Sequence, residues 1–176
     1  MSNKNNDLNI KEKFKQALES TVRVISEDFE LKNENKISPN SKKLNSFDLD
    51  NLNTKNDFIK ARANSDSAAL KKKFSNEDVY KQNLPSNTSC RSLYSIAEKI
   101  RYEALGGKML KGIKKNFSDN YNQLISLKNK DQLKTRDDVA ITEAFELYML
   151  KNFHNIKLNS LSSKMLSFWE HDFNKS

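Results

Sequence analysis

The chain contains few of the residues that make tight turns or cross-links. Its 176 residues include 3 glycines, 2 prolines and a single cysteine, Cys90. One cysteine excludes an internal disulfide bond, and an all-β fold would need more glycine and proline for its many turns. Cys90 has no histidine close to it in the sequence, so we do not expect it to act as a nucleophile. The composition therefore favours an all-α protein.

Long apolar segments are also missing. No apolar run approaches the about 20 residues that a membrane-spanning helix requires. The opening stretch, MSNKNNDLNIKEKF, is polar and has no apolar signal-peptide region. The sequence therefore predicts a cytoplasmic protein with no membrane partner.

Acidic residues are outnumbered by basic ones. There are 23 Asp and Glu against 31 Lys and Arg, which gives a formal net charge of +8. Such an excess indicates either a solvated lysine-rich surface or a face that binds nucleic acid. The 10 phenylalanines lie mostly at the spacing of a helical core, not as a platform on which bases could stack. We therefore expect a solvated surface, with a small basic nucleic-acid-binding protein as an alternative.

The residues that usually form catalytic or metal sites are scarce. The two histidines, His154 and His171, lie near predicted helix ends, and neither has a histidine or cysteine at metal-ligand spacing. The phosphate-binding pattern G-x-x-x-x-G-K-[ST] is missing. The superficially similar Gly106-Gly107-Lys108 lies inside a predicted helix. The sequence therefore predicts no catalytic, cofactor-binding or metal-binding residue.

Apolar residues recur at helical spacing through most of the chain. They predict about six helices in a single domain over residues 9–173, after a disordered N-terminus over residues 1–8. A long polar loop is predicted over residues 27–56. The predicted helices begin at Ile10, at Asp57, after the capping pattern Ser75–Asp78, at Thr88 or Ser89, at Thr135 and at Ser160. The helix from Thr135 is expected to turn inwards Ile141, Ala144, Phe145, Tyr148 and Met149.

The central helix is unusual because it holds every glycine of the chain within AEKIRYEALGGKMLKGIKKNF, residues 97–117. Two apolar stripes meet there, and at about 100° per residue they lie on opposite faces. The first stripe is Leu93, Ile96, Ala97, Ile100 and Ala104, and the second is Leu105, Met109, Leu110, Ile113 and Phe117. Adjacent glycines cost a helix about 2 kcal/mol relative to alanine. We therefore predict a kink at Gly106-Gly107 with Gly106, Gly107 and Gly112 in hinge or packing roles, or else one long helix between two sets of neighbours.

The same segment resembles the N-terminal region of the CobT subunit of aerobic cobaltochelatase. The matching residues are Arg101, Glu103, Ala104, Gly106, Met109, Gly112 and Asn116. Further similarity lies in Phe14–Leu18 with Thr21 and Arg23, in Ala61–Leu70, and in Trp169. The chain departs from the family at Ala63, where glycine is usual, and at Ser75-Asn76, where histidine and aspartate are usual. The family's C-terminal von Willebrand factor A-like domain is expected to be absent, because no D-x-S-x-S motif occurs here.

The resemblance implies a non-catalytic subunit of an ATP-dependent cobaltochelatase in cobalamin biosynthesis. In that family the complex inserts cobalt into a corrin, hydrogenobyrinic acid a,c-diamide. Its other subunits are an AAA+ ATPase and a large corrin-binding subunit, which are the partners implied here. The complex uses ATP, Mg and cobalt, whereas this chain is expected to bind no cofactor itself. A free-standing helical adaptor of another AAA+ ATPase is an alternative.

Six charged residues are candidates for partner contacts. Four lie in the central segment, where Arg101, Glu103, Lys108 and Lys111 either form a solvated helix face or bind an anionic partner. That partner would be an acidic protein face or a tetrapyrrole carboxylate. The other two, Arg62 and Asp66, are four residues apart and either pair with each other or anchor a subunit contact.

Overall fold

The described residues are mostly helical. The computed structural model describes residues 2–27, 52–128 and 133–175, and within these ranges it contains no β-strand. The predicted all-α fold is confirmed. The helices are α1 (Ser2–Ser26), α2 (Lys55–Phe74), α3 (Glu77–Gln82), α4 (Thr88–Met109), α5 (Lys111–Ser126), a 3-10 helix (Arg136–Asp138), α6 (Ile141–Phe153), α7 (Ser160–Ser167) and α8 (Glu170–Phe173). In the same ranges no helix is both long enough and apolar enough to cross a membrane.

The chain divides into two compact units, Met1–Lys73 and Phe74–Ser176. In the first unit, the rings of Phe14 in α1 and Phe58 in α2 meet edge to face at 4.9 Å, and Glu27 forms an ion pair with Lys73. The buried apolar residues of these helices are Leu18, Val22, Ile25, Ala63, Ala69 and Leu70. The helical period of α1 places Leu18, Val22 and Ile25 on one face, as an amphipathic helix requires, whereas the buried residues of α2 also include Ser65 and Asp66.

The structure describes the start of the chain but only the ends of the predicted polar loop. Helix α1 begins at Ser2, where the sequence predicts a disordered segment followed by a helix from Ile10. Most of the predicted loop, residues 28–51, lies outside the described residues. At its end, the Asp57 carboxylate accepts hydrogen bonds from the N–H groups of Asn53 and Thr54, at 3.1 and 2.6 Å. The Thr54 hydroxyl also donates to this carboxylate at 2.8 Å, and this bond, together with the two from the backbone, lowers the pKa of Asp57 in the first turn of α2.

In the second unit, asparagine side chains begin three helices. The Asn76 oxygen accepts from the N–H groups at the start of α3, as the capping pattern predicts. Asn87 does the same for α4, and Asn159 for α7. Helix α4 packs against α5 and α6, and α6 packs against α7 and α8. Asparagine is a favoured N-cap because its side chain satisfies N–H groups that have no partner within the helix.

Helix α6 differs from the prediction in its start and in its buried face. Thr135 begins only a 3-10 turn with a capping box, and α6 itself begins at Ile141. Of the predicted inner residues only Ala144 is fully buried, whereas Leu147 and Leu150 are buried without having been predicted. The reason is that α6 has neighbours on more than one side, so its buried surface is wider than a single stripe.

Candidate functional site

The central helix breaks after the glycines and not at them. Helix α4 continues through Gly106 and Gly107 to Met109. Leu110 is extended, with φ −134° and ψ 117°, and α5 begins at Lys111. The predicted kink at Gly106-Gly107 is therefore misplaced, because the helix ends only where the backbone of Leu110 leaves the helical region. We call residues 108–115 the elbow.

The two helices joined at the elbow fold back on each other. A Cβ atom built on Gly107 would lie 3.4 Å from Cβ of Lys114 in α5. Further from the break, the side chains of Glu103 in α4 and Tyr121 in α5 also meet. Gly106 is buried, whereas a Cβ atom on Gly112 would meet nothing within 4 Å. An added Cβ atom at position 107 would make an ordinary van der Waals contact, so the packing requires glycine at neither 107 nor 112.

Further along α4 and α5 lies a buried polar cluster of Glu103, Tyr121 and His154. The Tyr121 hydroxyl donates a hydrogen bond of 2.5 Å to Oε2 of Glu103. The His154 Nε2 atom lies 3.8 Å from the same oxygen and, among the described residues, has no hydrogen-bond partner. Glu103 is 1% exposed, Tyr121 2% and His154 8%. The cluster connects α4, α5 and the end of α6.

Burial controls the protonation of this cluster. Removal from water, together with the nearby Glu103 carboxylate, raises the pKa of Tyr121 well above its usual range. The phenol therefore stays protonated and acts as a donor. Burial, reinforced by the charges of Lys99 and Lys114, lowers the pKa of His154 to about 4. The imidazole is consequently neutral near pH 7.

The cluster is extended by contacts with aromatic rings. The Lys99 ammonium lies 5.6 Å from the centroid of the Tyr121 ring, within the range of a cation–π interaction. The His154 ring lies 5.5 Å from that of Tyr121 and 5.9 Å from that of Phe117. These contacts hold the cluster in the core of the second unit, so its arrangement is that of a structural tie between helices.

Arg101 is occupied by contacts within the second unit. Its Nε and Nη2 atoms donate to both carboxylate oxygens of Glu98, at 2.7 and 2.8 Å. Nη2 also donates to the backbone carbonyl of Phe74 at 2.7 Å, and Ser75 Oγ donates to Glu98 at 2.7 Å. A bidentate bond of this kind fixes the guanidinium. The structure therefore shows Arg101 as a link between α4 and the residues just before α3.

The surface of the elbow is basic and partly apolar. Residues 104–118 contain four lysines and no carboxylate. Lys115 pairs with Asp119 at 2.5 Å, but Lys108, Lys111 and Lys114 are exposed and form no ion pair with any described residue. Met109 and Leu110 are 44% and 43% exposed. Both were expected in the second apolar stripe, of which Ile113 and Phe117 are buried.

The six predicted contact residues do not form one surface in the structure: some are exposed and others are buried. Lys108 and Lys111 are both exposed at the elbow, whereas Glu103 is buried and does not form part of a solvated face. Arg62 and Asp66 belong to the first unit. The Arg62 guanidinium lies 5.7 Å from the Phe14 ring centroid, and Asp66 is 1% exposed. Burial leaves Glu103 and Asp66 inaccessible to a partner in this conformation.

Sequence reasoning missed the buried cluster, although two signals pointed to it. Glu103 follows Ile96 and Ile100 at helical spacing, so it continues the first apolar stripe. His154 continues the buried face of α6 after Leu147 and Leu150 in the same way. Neither signal indicates which polar groups meet. Among the described residues, no group of three or more histidine, cysteine, aspartate or glutamate side chains could hold a metal ion.

Comparison with known proteins covers nearly the whole chain. No solved structure shows a significant match. The family model described as cobalamin biosynthesis protein CobT matches residues 9–176. This range includes both compact units, the elbow and the buried cluster. The chain therefore belongs to the CobT family, whose members are cobaltochelatase subunits in cobalamin biosynthesis.

Proposed function

We propose that the chain is a non-catalytic assembly subunit of an ATP-dependent cobaltochelatase in the cytoplasm. The complex would insert cobalt, its substrate, into hydrogenobyrinic acid a,c-diamide. The chain would contact the AAA+ ATPase subunit and link it to the large corrin-binding subunit. The observation that carries this proposal is the CobT family match over residues 9–176.

The side-chain arrangement supports a mechanical role for the second unit. The hydrogen bond between Tyr121 and Glu103 ties α4 to α5 inside the core. The Arg101–Glu98 pair holds α4 to the carbonyl of Phe74. Buried and charge-assisted bonds of this kind resist deformation. A hairpin held in this way would carry force from an ATPase to a second subunit as one body, with the elbow at its tip.

The proposal is tested by reconstitution with the ATPase and the large subunit encoded in the same genome. We expect the chain to co-purify with the ATPase in a complex that changes between ATP and no nucleotide. We also expect cobalt insertion to require all three proteins. Insertion is monitored by the absorbance of the corrin. The control is the same mixture without this chain. Failure to form a complex in either nucleotide state, or full activity without the chain, would refute the proposal.

Two alternatives make different predictions in the same assays. An adaptor of another AAA+ ATPase would bind an ATPase but leave cobalt insertion unchanged. A nucleic-acid-binding protein is suggested by the lysines at the elbow, and it would bind DNA or RNA with an affinity that falls steeply as salt rises. Titration of a labelled duplex at several salt concentrations distinguishes this second alternative from the assembly role.

A further inference from the structure

We propose that the elbow is the docking element of this subunit. Met109 and Leu110 would enter an apolar pocket on a protein partner, and Lys108, Lys111 and Lys114 would pair with acidic residues around that pocket. The inference rests on the proposed assembly function and specifies the surface through which it operates. An apolar centre with a charged rim is the usual construction of a protein interface.

The position of Leu110 is the first argument. Leu110 is the N-cap residue of α5, and it makes no side-chain hydrogen bond to the helix. Serine, threonine, aspartate and asparagine are preferred at such positions, and this chain uses asparagine for α3, α4 and α7. Helices α6 and α8 also lack a side-chain cap, and their N-cap residues are a small alanine, Ala140, and the half-buried Trp169. At the elbow a large apolar side chain stands where a polar one is preferred, and it is 43% exposed.

The charges near Leu110 determine which partner fits. Three exposed lysines, Lys108, Lys111 and Lys114, lie within five positions of Leu110 in the sequence. None of them forms an ion pair with a described residue. The segment from 104 to 118 has no carboxylate that could neutralise them locally. The negative end of the α4 dipole and the positive end of the α5 dipole meet at Leu110 and offset each other, so the lysines set the potential. A partner surface rich in aspartate and glutamate is therefore attracted, whereas a basic one is repelled.

The shape of the elbow favours a protein over a small ligand. Met109 and Leu110 are partly exposed at the break between two helices, and a Cβ atom on Gly112 would meet only open space. Small molecules such as a tetrapyrrole bind in concave sites that bury most of their surface. A partly exposed pair of apolar side chains at a turn between helices instead fits a partner that supplies the concave surface. A duplex would meet the lysines, but it would leave the apolar pair without a role.

The test compares two elbow variants of the full chain with matched controls. The first variant is Lys108→Glu with Lys111→Glu, and the second is Met109→Ser with Leu110→Ser. Control charge reversals are Lys134→Glu with Lys157→Glu, both at exposed positions. The apolar control is Leu124→Ser, because Leu124 is also 43% exposed. Circular dichroism establishes that each variant is folded before binding is measured.

Dissociation constants are then measured against the purified ATPase subunit and the purified large subunit. We expect each elbow variant to weaken binding to one of them by at least about tenfold, while the controls change it by less than about threefold. The charge-reversed variant should also lose the salt dependence of the association rate. The apolar variant should keep that dependence, because its lysines are intact.

The other outcomes separate the two proposals. If the wild-type chain assembles and both elbow variants bind as tightly as it does, the docking element is refuted and the assembly function stands. If the wild-type chain binds neither subunit, both proposals fail. Each variant is also titrated with hydrogenobyrinic acid a,c-diamide and with a DNA duplex. Loss of binding to either ligand without loss of subunit binding would overturn the protein interface in favour of that ligand.

Discussion

Tyr121→Phe removes one buried hydroxyl and tests whether the polar cluster holds α4 and α5 together. Tyr121 is 2% exposed and its hydroxyl lies 2.5 Å from the Glu103 carboxylate, so no water can replace the lost donor without opening the core. A hydrogen bond to a charged group contributes about 1.5–3 kcal/mol to stability. The phenylalanine ring fills the same space. We therefore expect the free energy of unfolding to fall by about 2 kcal/mol.

The role of the Glu103 charge is isolated by a double-mutant cycle. A glutamine in Glu103→Gln still offers an oxygen, but it accepts a neutral hydrogen bond of about half the strength. Tyr121→Phe should therefore cost only about 1 kcal/mol when it is combined with Glu103→Gln. The difference between the two backgrounds is a coupling energy of about 1 kcal/mol, within the range for contacting residues.

Stability is measured by urea unfolding followed by far-UV circular dichroism, and by thermal unfolding. A loss of 2 kcal/mol should lower the melting temperature by about 4–8 °C for a chain of this size. The control is Tyr148→Phe, because the Tyr148 hydroxyl donates to Asn174 at 3.0 Å in an exposed position, and its loss should cost less than about 0.5 kcal/mol. Equal effects of Tyr121→Phe and Tyr148→Phe would refute the cluster as a tie.

Four further predictions concern acid stability and the residues at and just before the elbow. The pKa of His154 is about 4 when folded against 6.5 ordinarily, so the unfolded state takes up the proton first. Stability should fall by about 3 kcal/mol as the pH drops from 6.5 to 4, and urea titrations of His154→Phe should show a smaller fall. In thermal unfolding, Leu110→Ser should exceed Leu110→Ala in stability by about 1 kcal/mol, because serine caps α5. Gly112→Ala should stabilise by about 0.5–1 kcal/mol. Gly107→Ala should stabilise by a similar amount in the same assay, because the added methyl makes an ordinary van der Waals contact with Lys114 at 3.4 Å.

Local features of the fold were readable from the sequence, and features set by packing were not. The Asn76 cap of α3 and the start of α7 at Ser160 depend on neighbouring residues, and both were predicted. The break at Leu110 was not, because leucine is a good helix former. The reversal of the apolar stripes did indicate that the chain changes its neighbours in this region. Where the helix ends depends on the fold-back of α5 onto α4, which a periodic pattern does not reveal.

In the candidate site, too, the sequence indicated local features but not those that depend on packing. The lysine excess of the elbow was visible in the sequence, and Lys108 and Lys111 are exposed there. The exposure of Met109 and Leu110 was not predicted, because apolar residues at helical spacing are normally buried. The carboxylate of Glu103 could be placed on an apolar stripe but not beside Tyr121, since that contact joins residues 18 positions apart. The partner-contact residues themselves stay predictions.

The only tryptophan of the chain lies in the second unit, at Trp169. Its indole N–H donates to the carbonyl of Val139 at 3.1 Å, and the Arg136 guanidinium lies 3.6 Å above its ring. Indole fluorescence therefore reports on the second unit alone, whereas circular dichroism reports on the helices of both units. Coincidence of the two signals during denaturation would show that the units unfold together. Separation would allow the stability of each unit to be measured in the intact chain.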